Sequence, residues 1–246
     1  QTYKNIEYII IDGGSRDNTV DIIRKYEDRI TYWISEPDNG IYDAMNKGVN
    51  KATGDYISII GSDDCLYSDD IVERVVKEMK SGVDIWSGNE YLVDENTHRQ
   101  ILFDNKHARQ KFKYNGGMIP HGPMFVKRYL LQDKYPFDIQ YKIAGDYKFF
   151  LQCYFDENVK FQFSDLVTLY FSFGGISSSD VSEKLNEGPR IEYSLGVNIE
   201  RNIVKQFVKK IFISLGLMRI YSSLRFYMRS EKHTCNNRMC RWCNRI

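Results

Sequence analysis

The sequence predicts an α/β fold, with a mixed, mostly parallel sheet flanked by helices. Residues 6–11 (IEYIII) are apolar apart from Glu7 and are followed by Gly13 and Gly14, as expected for a strand buried on both faces. The order strand, helix, strand, helix, strand up to Ile60 favours right-handed parallel crossovers. A length of 246 residues, with 42% hydrophobic and 14% aromatic residues, is enough for one sizeable core and an appendage.

The spacing of apolar residues and the positions of Gly and Pro place the individual elements. Helices are predicted at 19–26, 41–51 and 69–79 and directly after Asp146, and strands at 30–35, 56–60, 83–87, 91–93, 159–163 and 166–171. A further strand is expected at the end of the turn-rich segment 116–127.

Charge and composition exclude several classes of protein. The net charge of +1 gives no global attraction to nucleic acid. The chain starts at Gln1 without a signal peptide and has no run of about 20 apolar residues, so we expect a cytoplasmic protein that is a fragment. Five cysteines are an odd number, and Cys65 and Cys153 lie among apolar residues, which fits buried thiols in a reducing compartment.

A pair of carboxylates, Asp63 and Asp64, directly follows the predicted strand 56–60. Carboxylates at the carboxyl end of a strand lie where α/β sheets bind ligands. Oxygen ligands favour hard cations, so the pair predicts a site for Mg²⁺ or Mn²⁺ shared with substrate phosphates. The alternative is a helix cap with acidic residues in the first turn.

Polar residues near predicted helix starts are further candidates. The turn at 38–40 precedes a helix that carries Lys47, and backbone N–H groups with a nearby Lys favour a diphosphate. A solvated Lys47 is the alternative. Asp12 can form an Asx-turn, and Asp146 can be a helix N-cap. His121 can be a base or a structural histidine.

Three blocks of sequence resemble glycosyltransferases of family two. They are YIIIDGGSRDNTVDII, EPDNGIYDAMNKGVNKATGDYISIIGSDD and AGDYKFFLQ, and the resemblance runs from Gln1 to about Ser178. It implies a GT-A, Rossmann-like fold and an inverting transfer of sugar from a nucleotide-sugar donor. The acceptor would be a hydroxyl of a glycan or a lipid-linked sugar, in bacterial-type surface polysaccharide assembly.

The same resemblance implies roles for individual residues. Asp146 would be the base that deprotonates the acceptor, with His121 and Gly122 on the acceptor side. Asp63 and Asp64 would hold the divalent cation. The donor would be bound by Asp12, which contacts the nucleoside base, and by Asp43, Asn46, Lys47 and Asp63.

The chain departs from the family pattern at several points. Gly61 stands in place of the first acid of the common metal motif, so binding of the cation rests on Asp63 and Asp64. Met45 stands where related enzymes often carry Arg, and Gly145 stands where an acidic neighbour of the base is usual. The usual first strand, which supplies part of the nucleotide pocket, is expected to be missing.

The resemblance implies a catalytic domain at 1–181. The change in composition after it predicts a linker at 182–197, a basic amphipathic helical segment at 198–230 and a cysteine-containing tail at 231–246. The basic segment 198–230 suits a helix that lies on the anionic inner face of a membrane. Packing against the catalytic domain or another subunit is the alternative. In the tail, His233 with Cys235, Cys240 and Cys243 allows a zinc site or a disordered segment.

Two other functions remain open from the residues alone. A nucleotidyltransferase that makes nucleotide-sugars uses a similar sheet, and its phosphate loop would lie upstream of Gln1. A catalytically silent carbohydrate-binding protein is the second. The G-x-S-x-G, G-x-G-x-x-G and G-x-x-x-x-G-K-[ST] patterns are absent, which disfavours serine hydrolases, dinucleotide oxidoreductases and P-loop enzymes.

Overall fold

The computed structural model describes residues 1–94, 96–105, 108, 112, 119–173, 181–199 and 217–232. The helices are α1 (Thr19–Lys25), α2 (Ile41–Lys51), α3 (Ile71–Glu78), α4 (Gly145–Tyr154), α5 (Val181–Ser194) and α6 (Met218–Arg229), with a 3₁₀ turn at Glu27–Arg29 and a π-helical turn at Leu130–Lys134. The strands are β1 (Ile9–Asp12), β2 (Tyr32–Ser35), β3 (Tyr56–Ile57), β4 (Cys65–Leu66), β5 (Ile85–Asp94), β6 (Arg99–Phe103), β7 (Met124–Lys127), β8 (Phe161–Ser172) and β9 (Glu231–Lys232).

The strands form two sheets. β1 and β2 pair in parallel as a two-stranded sheet. The larger sheet runs in the order β3, β7, β5, β6, β9, and β8 lies along the other edge of β5 and pairs with β4. Helices flank this curled mixed sheet, as the sequence predicts.

The direction of the strands differs from the prediction of a mostly parallel sheet. Only β1 with β2 and β5 with β8 are parallel within the described residues, and the other ladders are antiparallel. The physical reason is the length of the connections. β5 reaches β6 through a tight turn, and such a turn joins antiparallel strands, whereas a parallel pair needs a long crossover.

β5 is the centre of the core. Its first residues, Ile85 and Trp86, are fully buried, and Val93 near its end is buried as well. Helix α4 packs against this sheet with Phe149, Phe150 and Leu151 among its buried residues, in agreement with the predicted apolar face. Burial of each such side chain contributes about 1.5–3 kcal/mol to the stability of the fold. Helix α4, with Asp146 in its first turn, is therefore held firmly on the sheet.

Helix α5 lies where the sequence predicts a linker. Val181–Ser194 is helical, and Ile191 and Glu187 in it are buried against the domain. The segment Glu187-Gly188-Pro189 has the composition of a loop, but its contacts with the α4 region stabilise the helix. The segment predicted as a linker is therefore largely helical and packed on the domain.

The C-terminal region is described only in part. Helix α6 and strand β9 fold back on the domain, where β9 pairs with β6 and Phe226 stacks on Phe173 at 4.6 Å between ring centroids. About half of the predicted helical segment 198–230, the cysteines of the tail and the loop 174–180 lie outside the described residues, as do Lys106, Arg109, Lys111 and Lys113. None of the helices in the described part of the chain has both the length and the apolar run that a membrane crossing needs.

Candidate active site

The carboxylate pair Asp63 and Asp64 follows β3 after a turn at Gly61. Asp64 accepts backbone N–H groups from Gly61 at 3.1 Å and from Ser172 at the end of β8 at 3.0 Å. Burial raises the pKa of the Asp64 carboxyl above its usual value, and the charge of Asp63 adds to this effect. Strand β8 therefore fixes the direction of Asp64, which sequence alone does not reveal.

Both carboxylates converge on Gly61. A Cβ atom at Gly61 would lie 2.9 Å from Oδ2 of Asp64 and 3.3 Å from Oδ1 of Asp63. The glycine that replaces the first acid of the family motif thus leaves room between two oxygen atoms. Within the described residues, no group of three His, Cys, Asp or Glu side chains able to hold a metal ion is found. The pair fits a cation only if a substrate supplies further oxygen ligands.

Asp146 lies in the first turn of α4, and each of its carboxylate oxygens has a fixed neighbour. Oδ1 accepts the N–H of Tyr147 at 2.8 Å and lies 3.0 Å from the hydroxyl of Tyr42. Oδ2 lies 3.1 Å from Nδ1 of His121. The Asp146 side chain is 13% exposed, so it is oriented by the protein and still reachable from solvent.

Tyr42 belongs to α2 and connects that helix to the start of α4. Its hydroxyl lies 2.7 Å from the carbonyl oxygen of Ile143 as well as close to Asp146, so its one proton is shared between these two acceptors. Burial raises the pKa of Tyr42 well above the usual range, and the charge of Asp146 raises it further. Tyr42 therefore stays a neutral hydrogen-bond donor.

His121 is surrounded by acidic groups. Burial opposes its charged form, but the hydrogen bond and charge of Asp146, with the charges of Glu90 and Asp64, outweigh that effect and raise the pKa of the imidazole. These contacts place His121 beside Asp146, the candidate base. A role of His121 as a base or on the acceptor side stays a prediction.

Glu90 is a member of the site that the sequence did not reveal. It lies in the middle of β5, is 5% exposed, and its Oε2 atom has no hydrogen-bond partner among the described residues. Burial raises the pKa of Glu90 to about 8, and the charge of Asp64 adds to the shift while His121 opposes it. An acid inside a central strand is the signal that could have found it, since buried carboxyls cluster at functional sites.

Gly122 lies directly against Glu90. A Cβ atom there would come 2.7 Å from Cδ2 of Leu169 and 3.4 Å from Oε2 of Glu90. Gly122 is therefore required by the close packing of β5 and β8 beneath His121. A direct contact of Gly122 with an acceptor stays a prediction.

The predicted donor-binding residue Asp12 is used within its own loop. Its carboxylate accepts the N–H groups of Gly14 and Ser15 and the hydroxyls of Ser15 and Ser35. Burial raises the pKa of Asp12, but these hydrogen bonds outweigh it and lower the pKa below its usual value. This is the Asx-turn geometry that the sequence left open, and a contact with the nucleoside stays a prediction.

The remaining donor-side candidates lie on α2. Lys47 forms ion pairs with Glu36 at 3.0 Å and Asp43 at 3.6 Å. Asp43 also accepts the N–H of Asn39, which orders the turn before the helix. Lys47 is thus held near this turn, where a phosphate could take the place of Glu36.

Asn46 has a different environment from its neighbours. Its side-chain amide donates to the carbonyl of Phe137 at 2.7 Å and accepts the N–H of Phe137 at 3.1 Å. Both ends of the amide are therefore engaged in joining α2 to the segment before α4. This arrangement favours a structural role over the predicted contact with the donor.

Comparison with known proteins identifies the family of the chain. A family model described as Glycosyl transferase family 2 matches residues 1–145. The chain belongs to this family. It is therefore a glycosyltransferase, as the sequence blocks predict.

Among relatives of this family-two chain, a "PGL/p-HBAD biosynthesis glycosyltransferase" of Mycobacterium bovis is 28% identical over 228 residues, which are 90% of this chain and 87% of the relative. An "Uncharacterized glycosyltransferase" of Mycobacterium tuberculosis is 34% identical over 158 residues, covering 62% of this chain and 59% of the relative.

Solved structures similar to this family-two chain have the same fold. S. aureus TarS 1–349 in complex with UDP is 16% identical and matches 79% of this chain and 57% of that chain with a TM-score of 0.52. A TM-score of 0.55 relates this chain to a longer S. aureus TarS structure, of which it covers 35%. The GT-A fold expected from the resemblance is confirmed.

Proposed function

We propose that this glycosyltransferase moves a sugar from a nucleotide-sugar to a hydroxyl of an acceptor, with inversion at the anomeric carbon and with Asp146 as the base. The observation that carries the proposal is the carboxylate of Asp146, which is held by Tyr147, Tyr42 and His121 and remains 13% exposed. A base must be oriented and yet accessible to the hydroxyl whose proton it takes.

The chemistry requires one displacement. The acceptor oxygen forms a bond to the anomeric carbon while the bond from that carbon to the diphosphate oxygen breaks. The hydroxyl proton passes to Asp146, and the electron pair of the broken bond leaves with the nucleoside diphosphate. A covalent enzyme intermediate is not needed, because the acceptor itself is the nucleophile.

The donor is proposed to be a uridine diphosphate sugar. Solved structures of TarS, which shares the fold, contain UDP and UDP-GlcNAc. Lys47, 3.0 Å from Glu36 beside the turn before α2, is the cation proposed to meet the diphosphate, whereas the N–H groups of Asn39 and Gly40 in that turn donate to Asp43 and Asp38. Asp12, Asp43 and Asp63 are proposed to line the same side.

A divalent cation generally assists enzymes of this fold. Asp63 and Asp64 would hold Mg²⁺ or Mn²⁺ here, because their oxygens converge on the space that Gly61 leaves open. A bound cation would neutralise charge that develops on the departing diphosphate. Because no group of three His, Cys, Asp or Glu side chains able to hold a metal ion is found among the described residues, affinity without donor is expected to be weak.

The acceptor is proposed to be a lipid-linked sugar on an anionic membrane surface, as in surface polysaccharide assembly. Exposed apolar residues recur three or four positions apart on α6, so they share one face. They are Ile220, Leu224, Tyr227 and Met228, each at least 58% exposed. Residues 201–230 carry seven Lys or Arg and no Asp or Glu. Apolar residues with positive charge suit an interfacial helix at anionic lipid.

Release of nucleoside diphosphate tests the enzymatic proposal. Asp146→Asn should lower acceptor-dependent release by about 10²–10⁴-fold, the usual effect of losing a general base, with donor affinity almost unchanged. Asp138→Asn is the control. It removes a different acid, which pairs at 2.6 Å with Lys148, a residue of α4 like Asp146. Equal activity of Asp146→Asn and the control would contradict the role of Asp146. Absence of release with every donor sugar would favour a binding protein.

Co-sedimentation with liposomes tests the membrane proposal. Because α6 and β9 pack on the domain, deleting them would disturb the fold. Exposed residues of α6 are therefore substituted one at a time. Leu224→Ser and Met228→Ser should weaken pelleting with anionic vesicles, and added salt should release the parent chain. Ile139→Ser is the control for an exposed apolar residue elsewhere, 54% exposed. Equal pelleting of all variants would contradict the proposal that α6 binds the membrane.

A further inference from the structure

We propose that Glu187 of α5 is a positioning residue that fixes the candidate base Asp146 through the backbone that precedes it. This inference rests on the proposed role of Asp146. Glu187 lies in the segment where the sequence predicts a linker, and it is distant along the chain from the three family blocks. It does not contact the reacting atoms, so any effect on catalysis must pass through the segment that it holds.

The contact is made with three consecutive backbone N–H groups. Oε1 of Glu187 accepts the N–H of Lys142 at 2.7 Å, and Oε2 accepts those of Ile143 at 3.0 Å and Ala144 at 2.8 Å. Successive N–H groups that point inward form a concave site for an anion. Here the carboxylate of Glu187, which is 3% exposed, fills that site from within the protein.

The clamped residues determine the position of Asp146. Ala144 is the residue before α4, and Asp146 is in the first turn of that helix. The carbonyl of Ile143 lies 2.7 Å from the hydroxyl of Tyr42, which also contacts Asp146. The segment is thus held on its N–H side by α5 and on its carbonyl side by α2.

A second contact from the same helix lies just beyond Asp146. The hydroxyl of Tyr147 donates to Oε1 of Glu192 at 2.7 Å, and both groups are buried. Helix α5 therefore contacts the chain immediately before and immediately after Asp146. Two contacts that bracket one residue restrict its backbone more than either contact alone.

Hydrogen bonds from N–H groups to a buried carboxylate are stronger than those between neutral groups. Loss of the charge leaves Gln with one acceptor oxygen and an amide that cannot accept the third N–H. A displacement of a catalytic group by about 1 Å can reduce the rate by about 10²-fold. Glu187→Gln should therefore lower kcat by about 10- to 100-fold, with little change in the KM for the donor.

Glu7→Gln is a matched control. Glu7 also accepts N–H groups from two consecutive residues, Thr53 at 2.8 Å and Gly54 at 3.1 Å, but it holds the loop before β3. Its loss should leave kcat within about twofold, because that loop does not carry Asp146. A fall in kcat equal to that of Glu187→Gln would mean that any weakened loop lowers activity, and the proposal would be wrong.

A double-mutant cycle with Asp146→Asn separates positioning from general damage. If Glu187 acts through Asp146, Glu187→Gln should cost little further activity in the Asp146→Asn background. If the two losses multiply, Glu187 does not act through Asp146. Normal activity of Asp146→Asn would instead refute the proposed base, so the two failures are distinguishable.

Hydrogen exchange gives a readout that does not depend on activity. The amides of 142–144 should exchange faster in Glu187→Gln while those of β5 stay protected. If Glu187→Gln does not fold, Glu187→Asp provides the second variant, since it keeps the charge on a shorter side chain. Unchanged exchange of 142–144 together with unchanged kcat in a folded variant would overturn the proposal.

Discussion

Gly145 allows the site to close around Asp146, which makes Gly145→Ala an informative substitution. A Cβ atom at this position would lie 2.8, 2.9 and 3.0 Å from three carbons of the Tyr42 ring. Tyr42 cannot easily move aside, because it is 4% exposed and stacks on Phe137 at 5.6 Å. An acidic side chain, which the family often has here, would need even more room.

The expected magnitude follows from two opposing effects. Overpacking a buried site costs about 1–3 kcal/mol, whereas replacing Gly by Ala in a helix gains at most about 1 kcal/mol. The net loss of stability should be about 1–2 kcal/mol, equivalent to a decrease in Tm of about 2–8 °C for a chain of this size. Movement of Tyr42 should also lower kcat, since its hydroxyl contacts Asp146.

Thermal unfolding and initial rates measure these effects, with Gly48→Ala as the control. Gly48 lies within α2, and a Cβ there would meet only Cγ1 of Ile11 at 3.4 Å, an ordinary contact. Gly48→Ala should therefore raise stability by about 0.5–1 kcal/mol. A Gly145→Ala protein as stable and as active as Gly48→Ala would refute the close packing described between α4 and Tyr42.

Two further predictions concern Glu90, which is buried, and Asn46, which is partly buried. Glu90→Gln should stabilise the protein increasingly as pH rises from about 5 to about 8, and by a constant amount above about pH 8. The reason is that the unfolded chain ionises Glu90 from near its ordinary pKa, whereas the folded protein keeps it protonated up to a pKa of about 8, so the parent chain loses stability between those two values. A difference in Tm that is constant between about pH 5 and about pH 8 would contradict this. Asn46→Ala should lower stability by about 1–3 kcal/mol through the loss of both hydrogen bonds to Phe137, without changing the KM for the donor, and a large rise in that KM would restore Asn46 to the donor site.

Local patterns in the sequence predicted much of the fold. Helix α2 is found at Ile41–Lys51, as predicted, because its apolar spacing and the preceding Gly40 are local signals. Asp146 was singled out through the block AGDYKFFLQ, which resembles the family and places an acid at the start of an apolar helix, where the structure has it. The three family blocks then supplied the fold that links these elements.

Features that depend on distant contacts were not predicted. The sequence splits β5 around Gly88 and Glu90, but pairing with β8 on one edge and with β6 and β7 on the other keeps the strand continuous. Tertiary pairing overrides the weak strand propensity of this segment. The buried position of Glu90 follows from the same pairing. Helix α5 was missed for a related reason, since Gly188 and Pro189 are typical of a loop.

The configuration of the product at the anomeric carbon tests the central claim most directly. The intact glycosyltransferase is incubated with a nucleotide-sugar of known anomeric configuration and an acceptor, and proton NMR couplings of the newly formed linkage are recorded during the reaction. A single displacement assisted by Asp146 predicts a product whose configuration is opposite to that of the donor from the first turnover onward. A product that retains the donor's configuration would contradict direct attack by the acceptor and the role of Asp146 as its base.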